Sequence, residues 1–421
     1  MSRPLRVAYA GPLADPASGY GVAAWGNLAA LWGIADKGQV VGLPLGAGGW
    51  PGPWPADLLL TPTQRLIKRG PSVDLDDPPD VVVIHHRPDA LPAAAQALRA
   101  EGYTGPVVFY TVFETNRLPT QIGQALDQAG PLGFLVPASF QVDGLRASGL
   151  TQPALVVPHP LEPAEWPEPP AQQVWAKHRT APTIFYWVGA LMSAYRKGLP
   201  ELLTAWQTAF PDEEEGRAEL HLKINEGDQA LWTRMSRQLT RPDIKVTASR
   251  LSPEEMWRYH MDRHVYVSPH RGEGFGLGMF QALAARNRVI RTDWSGFDAP
   301  AKYDAIMSVP CRAVEVNAQA ASLSHLPYFV TKPGEQLYWA APDVGALTEA
   351  LWATAWAGPP TGYDGPDDTF IQAHYPVNVG KILLRQLQYL VQTQSVAATG
   401  DPRLFGQQRR EPWRSPWAAQ E

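Results

Sequence analysis

One cysteine, Cys311, stands in a chain of 421 residues. A lone thiol excludes an intramolecular disulfide and agrees with a reducing compartment. No Cys/His cluster has the spacing of a zinc site. Charge is sparse as well: Asp, Glu, Lys and Arg make up 18% of the residues and the net charge is −5. That balance argues against broad, sequence-independent binding to nucleic acid, although a local basic cleft stays open. No apolar run reaches the ~18 residues needed to cross a bilayer. The opening Met1-Ser2-Arg3-Pro4-Leu5-Arg6 leads straight into a strand-like run too short for a signal-peptide core, with no small-residue cleavage pattern. These absences lead us to expect a soluble cytoplasmic protein without a transmembrane segment, with peripheral attachment to a membrane left open.

What is present is globular. The apolar fraction is 45%, outside the disordered range. The length exceeds the roughly 250 residues at which single cores stop growing, so two or three domains are expected. Tryptophan (16) and proline (42) are abundant, which fits either aromatic contact surfaces or a lineage bias in composition.

Short β-branched or aromatic runs alternate with helix-period segments. Strands are expected at Leu5–Ala10, Gln39–Leu43, Val81–Ile84, Val107–Thr111, Gly133–Val136 and Ala154–Val157. A second series runs over Thr183–Val188, Glu219–Ile224, Ile244–Thr247, His264–Val267, Val289–Arg291 and Ile306–Val309. Several lack in–out alternation, as expected of parallel strands covered on both faces. Strand-then-helix alternation reads as βαβ units, and two series read as two α/β domains. Between them Pro158, Pro160, Pro163, Pro167, Pro169 and Pro170 crowd a stretch that can propagate neither helix nor central strand. The expected organisation is a first domain over 1–170 and a second over 171–376. A helix follows over 377–396, with its apolar stripe at Val379, Ile382, Leu383, Leu387, Leu390 and Val391, and then a Pro- and Trp-containing tail over 397–421.

The densest chemical signal is Ser268 to Gln281, SPHRGEGFGLGMFQ. A strand ends at Pro269, glycines recur at every second position from Gly272 to Gly278, and a helix follows with Met279, Phe280, Leu283 and Ala284 on its buried side. Glycines let backbone approach a ligand closely, and a helix start points N–H groups and positive dipole at it, which suits a diphosphate. Glu273 cannot favour phosphate; it would accept hydrogen bonds from sugar hydroxyls. The competing explanation is a glycine-rich connector with a solvated acid.

This segment resembles the donor-binding signature of family 4 of the GT-B glycosyltransferases, roughly P-S-x-x-E-G-F-G-L-P followed by a helix and a second Glu eight residues after the first. The likeness continues upstream in Leu251-Ser252-Pro253-Glu254-Glu255, where Ser252 and Glu255 also form a capping box. Downstream it takes in Asn287-Arg288-Val289-Ile290, Asp293-Trp294-Ser295-Gly296 and, loosely, Ala341-Pro342-Asp343 through Ala346. The resemblance covers most of the second half and is weaker over the first. It implies a GT-B architecture: two Rossmann-like domains facing a central cleft, the last helix crossing back to the N-terminal domain, acceptor on the first domain and donor on the second. It implies transfer with retention of configuration and without metal, the donor being a UDP- or GDP-sugar used as co-substrate rather than cofactor. The implied donor contacts are Arg271, Gly274, Phe275, Gly276, Leu277 and Gln281, with Glu273 at the reacting centre. Three positions depart from the pattern: Gln281 replaces the second acid, Gly278 the proline and His270 the serine.

A second loop runs from Gly189 to Gly198 and carries Arg196 and Lys197. The family places an Arg directly after the Gly and a Lys before the helix, both on the donor diphosphate. Here the first is Ala190, Lys197 is retained, and Arg196 is expected to supply the missing charge. A basic pair on a solvated loop is the alternative. Gly19-Tyr20-Gly21, after Ser18 and the first strand, is a third donor-side candidate, against a plain βα turn. A fourth, Val108 to Pro119, delivers Glu114 to a strand end, where it would orient or deprotonate an acceptor hydroxyl, or else merely cap a helix. His85 and His86 end another strand and are weaker acceptor candidates against a role as core or capping histidines; His159 reads as structural or at the cleft rim. The acceptor is a glycan, a lipid-linked glycan or another hydroxyl, with a modified nucleic-acid base or a protein left open. Two other classes stay on the table. One is a non-catalytic sugar-nucleotide or glycan-binding relative, suggested by Ala190 and Gln281. The other is a dinucleotide-dependent oxidoreductase, which Gly11, Gly19 and Gly21 do not fit in spacing.

Overall fold

The computed structural model describes residues 4–13, 19–35, 39–45, 74–161, 182–211, 216–225, 233, 239–249, 251–298, 303–319, 323–357 and 368–399. Ser18, the prolines from Pro163 to Pro170 and the tail beyond 399 lie outside the described residues. Contacts divide the chain into two compact units, one within Met1–Glu162, Val330–Leu337 and Ala373–Glu421, the other within Pro163–Phe329 and Tyr338–Gln372.

Unit 1 opens with β1 (Val7–Gly11), α1 (Gly19–Trp32), β2 (Val40–Pro44), β3 (Val81–His85) and α2 (Leu91–Ala100). It continues with β4 (Val107–Tyr110), α3 (Thr120–Gln128), β5 (Gly133–Val136), α4 (Ser139–Ala147) and β6 (Ala154–Val156). The six strands form one sheet in the order β2-β1-β3-β4-β5-β6, every pairing parallel. Residues of β1, β3, β4 and β5 are buried throughout. Their β-branched and aromatic runs therefore do not alternate, as a sheet covered on both faces requires.

Unit 2 contains β7 (Thr183–Ala190), α5 (Leu199–Ala209), β8 (Ala218–Asn225), β9 (Ile244–Ala248), α6 (Pro253–Met261), β10 (Val265–Ser268) and α7 (Leu277–Ala284). Then come β11 (Arg288–Thr292), β12 (Ile306–Val309), β13 (Cys311–Glu315), β14 (Tyr338–Pro342), α8 (Val344–Ala357) and α9 (Asp368–Gln372). Its parallel sheet, the second of the chain, runs β12-β11-β10-β7-β8-β9. The expected capping box is present: Glu255 N–H donates to Ser252 Oγ at 3.1 Å, and Ser252 N–H donates to Glu255 Oε2 at 2.7 Å. Adjacent β7 and β10 release their following loops at one sheet edge, the carboxyl end where parallel α/β sheets bind ligands.

Each strand expected from sequence lies within a residue or two of one observed, and the antiparallel pair β13–β14 was not expected. Residues of β13 are only half-buried or exposed, so no buried run marks it. A second difference is the excursion Val330–Leu337, which belongs to unit 1 although the sequence reading treats 171–376 as continuous. Glu335 explains it. Its carboxylate accepts from the N–H of Thr120 at 2.6 Å and from Thr120 Oγ1 at 2.7 Å, and pairs with Arg117 at 3.3 Å. Pro119, at the N-cap of α3, makes no side-chain cap, so a distant carboxylate serves the positive end of that helix.

The last helix, α10 (Pro376–Thr399), is longer than expected at its C-terminal end. It belongs to unit 1, where Val379, Leu383, Leu387 and Leu390 share a cluster with Val7, Tyr9, Leu28, Leu31 and Val83. Leu387 is fully buried, whereas Val377 is 49% exposed. Leu387→Ala should lower the unfolding free energy by about 2–5 kcal/mol, and Val377→Ala by no more than about 0.5 kcal/mol, measured by denaturant titration. Equal effects would mean that α10 does not use this face.

Candidate active site

In unit 2 the chain leaves β7 through a short 3-10 turn at Leu191–Ser193 and enters α5 after Gly198. Gly198 has φ +69°, and a Cβ there would lie 1.7 Å from the carbonyl oxygen of Pro269. Only glycine lets the two loops touch backbone to backbone. Arg196 closes the contact: its Nη1 donates to Gly272 O at 2.7 Å, and its own carbonyl accepts from Arg271 N at 2.7 Å.

This contact delivers Lys197 to Glu273, Nζ to Oε2 at 2.8 Å, with side chains 23% and 16% exposed. Burial opposes ionisation of Glu273, but attraction to Lys197, Arg196 and His270 prevails and holds its carboxyl down at about 2. Its backbone is fixed at both ends, Glu273 N–H donating to Ser295 Oγ at 3.0 Å and Glu273 O accepting from Gly296 N at 2.9 Å. The Asp293–Gly296 segment, noted in the sequence only for its resemblance, thus clamps the acid; Ser295 takes φ +62° to do so.

The other residues expected on the donor side divide by what their side chains touch. Gly276, at φ +86°, is the N-cap of α7, and Leu277 begins the helix half-exposed. Phe275 is 5% exposed and stacks on Phe280 with centroids 4.6 Å apart, so its ring serves the core. Arg271 is bonded by Glu201 of α5 and lies over the Tyr195 ring at 4.3 Å, while its carbonyl accepts from Ala340 N of β14 at 2.7 Å. Glu201 escapes sequence reasoning because 70 residues separate it from Arg271. Gly189 packs against the Trp187 ring and Lys197, and Gly274 follows Glu273 in the turn. Gln281, one turn into α7, lies beside His260. Burial depresses the His260 ring to about 3, Gln281 acting in the opposite sense.

His270, at the family's serine position, is wholly buried. Its Nε2 lies 3.0 Å from Trp294 O, and its Nδ1 lies 2.9 Å from Ser268 O and 3.0 Å from Ser268 Oγ; carbonyls only accept, so the neutral ring donates to one of the two carbonyls. It ties the Glu273 loop to the Ser295 loop, which a serine is too short to do.

In unit 1, Gly19-Tyr20-Gly21 is the first turn of α1 and not a loop before it. Tyr20 Oη donates to Val112 O at 2.5 Å, two residues before Glu114. Strand β4 stops at Tyr110, so Glu114 lies in the loop that follows and not at the strand end; it is 8% exposed, and Gln141 Nε2 supports this loop through Phe113 O at 2.8 Å. His85 is fully buried, bonded through Nδ1 to Tyr9 Oη at 2.8 Å and stacked on Tyr110 at 4.2 Å. Burial, with help from His159 and His86, pushes its pKa well down. His86 is half-buried, and its Nδ1 accepts from the N–H of Arg87 at 2.8 Å. His159 bonds Tyr110 Oη at 3.1 Å and is held neutral by burial, at about 3. Among the described residues no group of three or more His, Cys, Asp or Glu is placed to hold a metal ion.

The buried histidines impose a pH dependence. Burial depresses His270 to about 4, with Glu273 and Trp294 opposing, against about 6.5 when unfolded. Only the unfolded chain binds this proton as pH falls, so the stability the neutral ring confers is present above about pH 6.5 and lost between there and pH 4. His270→Gln should flatten the slope of unfolding free energy against pH in that window by at most ~1.4 kcal/mol per pH unit. Slopes that coincide with wild type would show that His270 is not held neutral.

No protein-family model and no curated protein sequence matches the chain. Solved structures of similar architecture include one described as "Trehalose-6-phosphate from E. coli bound with UDP-2-fluoro glucose", with TM-score 0.56 and 13% identity, covering 92% of this chain and 99% of that one. A second is α,α-trehalose 6-phosphate synthase from Burkholderia multivorans, with TM-score 0.53 and 13% identity over 95% and 100% of the two chains. A third is the lipopolysaccharide outer core galactosyltransferase WaaB in its apo form, at 0.54 and 12% over 93% and 100%. Likeness at such identities speaks of fold, and the two parallel α/β units of this chain have the fold of the GT-B glycosyltransferases.

Proposed function

We propose that this chain transfers a sugar from a nucleotide-sugar donor to an acceptor hydroxyl, with retention of configuration and without a metal ion. The observation that carries the proposal is the Lys197–Glu273 pair, set beside Arg196 at the start of α7. A nucleotide sugar presents a dianionic diphosphate next to a ring of hydroxyls, and the paired turns offer both complements within unit 2. An ammonium has three donors, so Lys197 can keep one on Glu273 and turn others to phosphate. Arg196 and the N–H groups opening α7 add positive potential. Glu273, ionised throughout the physiological range, accepts from sugar hydroxyls.

The chemistry then needs no protein nucleophile. The bond from the anomeric carbon to phosphate breaks and its electron pair leaves with the diphosphate. The acceptor oxygen bonds to the same face, and its single proton goes either to Glu114 or to the departing phosphate oxygen. Arg196 and Lys197 stabilise the charge that develops on the leaving group. Donors of the UDP- or GDP-sugar type fit best; the E. coli neighbour is described with a bound UDP-fluoroglucose. On the acceptor side we assign Glu114 to orient or deprotonate the hydroxyl. His86 keeps some exposed surface where His85 has none, so His86 is the better of the two histidines for acceptor contact.

A non-catalytic sugar-nucleotide binder is the second reading, favoured by Ala190, which brings no cation to the end of β7. A thermal-shift screen of UDP-, GDP-, ADP- and TDP-sugars should raise the midpoint with at least one donor; no shift with any would overturn the donor site. With the donor so identified, Glu273→Ala should cut transfer or donor hydrolysis by at least ~100-fold while leaving the protein folded. Near-normal turnover in that variant sinks the role of Glu273, and binding without turnover in the wild type leaves the non-catalytic reading. Lys197→Met should weaken binding of the free nucleoside diphosphate by about tenfold or more, some 1.4 kcal/mol, as read by calorimetry.

A further inference from the structure

Tyr266 lies within β10, in register with Tyr186 of β7 and Val289 of β11. It is 4% exposed, edge-on to Tyr186 at 5.1 Å and 6.2 Å from the His260 ring. Its hydroxyl ends under the first turn of α7. A Cβ built on Gly278 would fall 2.6 Å from Tyr266 Oη and 3.1 Å from Cζ. Real atoms do not approach so closely, so the phenol and a side chain at 278 exclude each other. The donor signature that this segment resembles has proline here, whose ring would occupy the same space. Gly278 is not among the glycines with positive φ, so no backbone conformation demands it; the space taken by Tyr266 does.

The consequence falls on the ligand-facing end of α7. The first intrahelical bonds run from Met279 N at 2.8 Å and Phe280 N at 3.2 Å to Gly276 O. The N–H groups of Leu277 and Gly278 precede them and point out of the helix start. The Tyr266 hydroxyl packs against Gly278 in that turn and is close enough to Glu273 to feel its charge. Burial and that negative neighbour both raise the phenol's pKa, so it keeps its proton.

We infer that Tyr266 and Gly278 form an interlocking pair that seats the first turn of α7, making Tyr266 a positioning residue for Glu273 and for the Leu277 and Gly278 N–H groups that face the donor diphosphate. The last clause rests on the donor-site reading above; the seating itself does not.

Four proteins test it: Gly278→Ala, Tyr266→Phe, the double variant and Lys197→Met. Without nucleotide, amide exchange at Met279 and Phe280 is followed by mass spectrometry. Alanine is a better helix former than glycine, so with no interlock Gly278→Ala would slow exchange and raise the thermal midpoint. The interlock demands the opposite sign, with faster exchange and a lower midpoint. Adding Tyr266→Phe, which removes the colliding oxygen, should restore both towards wild type. With UDP or GDP, Gly278→Ala should raise Kd by about tenfold, and the double variant should return to within about threefold of wild type. Slower exchange in Gly278→Ala, or a double variant no better than the single one, overturns the interlock. If exchange behaves as expected but neither Gly278→Ala nor Lys197→Met alters nucleotide affinity, the donor-site reading fails and the seating stands. If Lys197→Met weakens binding and Gly278→Ala does not, Tyr266 has no positioning role.

Discussion

Lys197 and Glu273 are 76 residues apart in sequence and 2.8 Å apart in space. The parallel pairing of β7 with β10 brings them together, because it sends both following turns off the same sheet edge. Two adjacent cations at that edge would repel each other without a counter-charge. A carboxylate there, without the cations, would be pushed by burial towards its neutral form. Each half is tolerable only with the other, and breaking such a pair costs more than never having built it. Much around the pair keeps it in place. Gly198 gives way to Pro269, Arg196 reaches Gly272, Ser295 and Gly296 grip the backbone of Glu273, and His270 ties those two grips together.

Local signals were legible where burial is uniform. Val81–His85 and Gly133–Val136 are buried at every position, and short β-branched or aromatic runs of that kind suit parallel strands covered on both faces. The capping box at Ser252 and Glu255 was legible for the same reason: both partners lie within one turn. What sequence could not give were partners set by folding alone. Glu335 serves the start of α3 across 215 residues, and no spacing rule reaches that far. The sequence alone offers no reason for the departures from the family signature. In the structure His270 and Gly278 each answer to a neighbour, the Trp294 carbonyl and the Tyr266 hydroxyl. Alternate glycines, read as room for a ligand, also make room for the protein's own atoms.

Strand-end histidines show the limit most plainly. His85 and His86 are neighbours in sequence, yet one is sealed among Tyr9, Tyr110 and His159 and the other is half-buried. β3 ends at His85, inside a sheet covered on both faces, whereas His86 follows the strand and keeps some exposed surface. Only the packing separates the two.

The path of the chain between its units has a consequence for heredity. The polypeptide passes from one unit to the other at 162–163, 329–330, 337–338 and 372–373. Each unit is therefore coded by interleaved stretches of gene. A single crossover at the proline-rich region would deprive the first sheet of α10, whose Leu383 and Leu387 are fully buried in its core, and α3 of the carboxylate at its positive end. A single exchange at that point therefore moves neither unit whole.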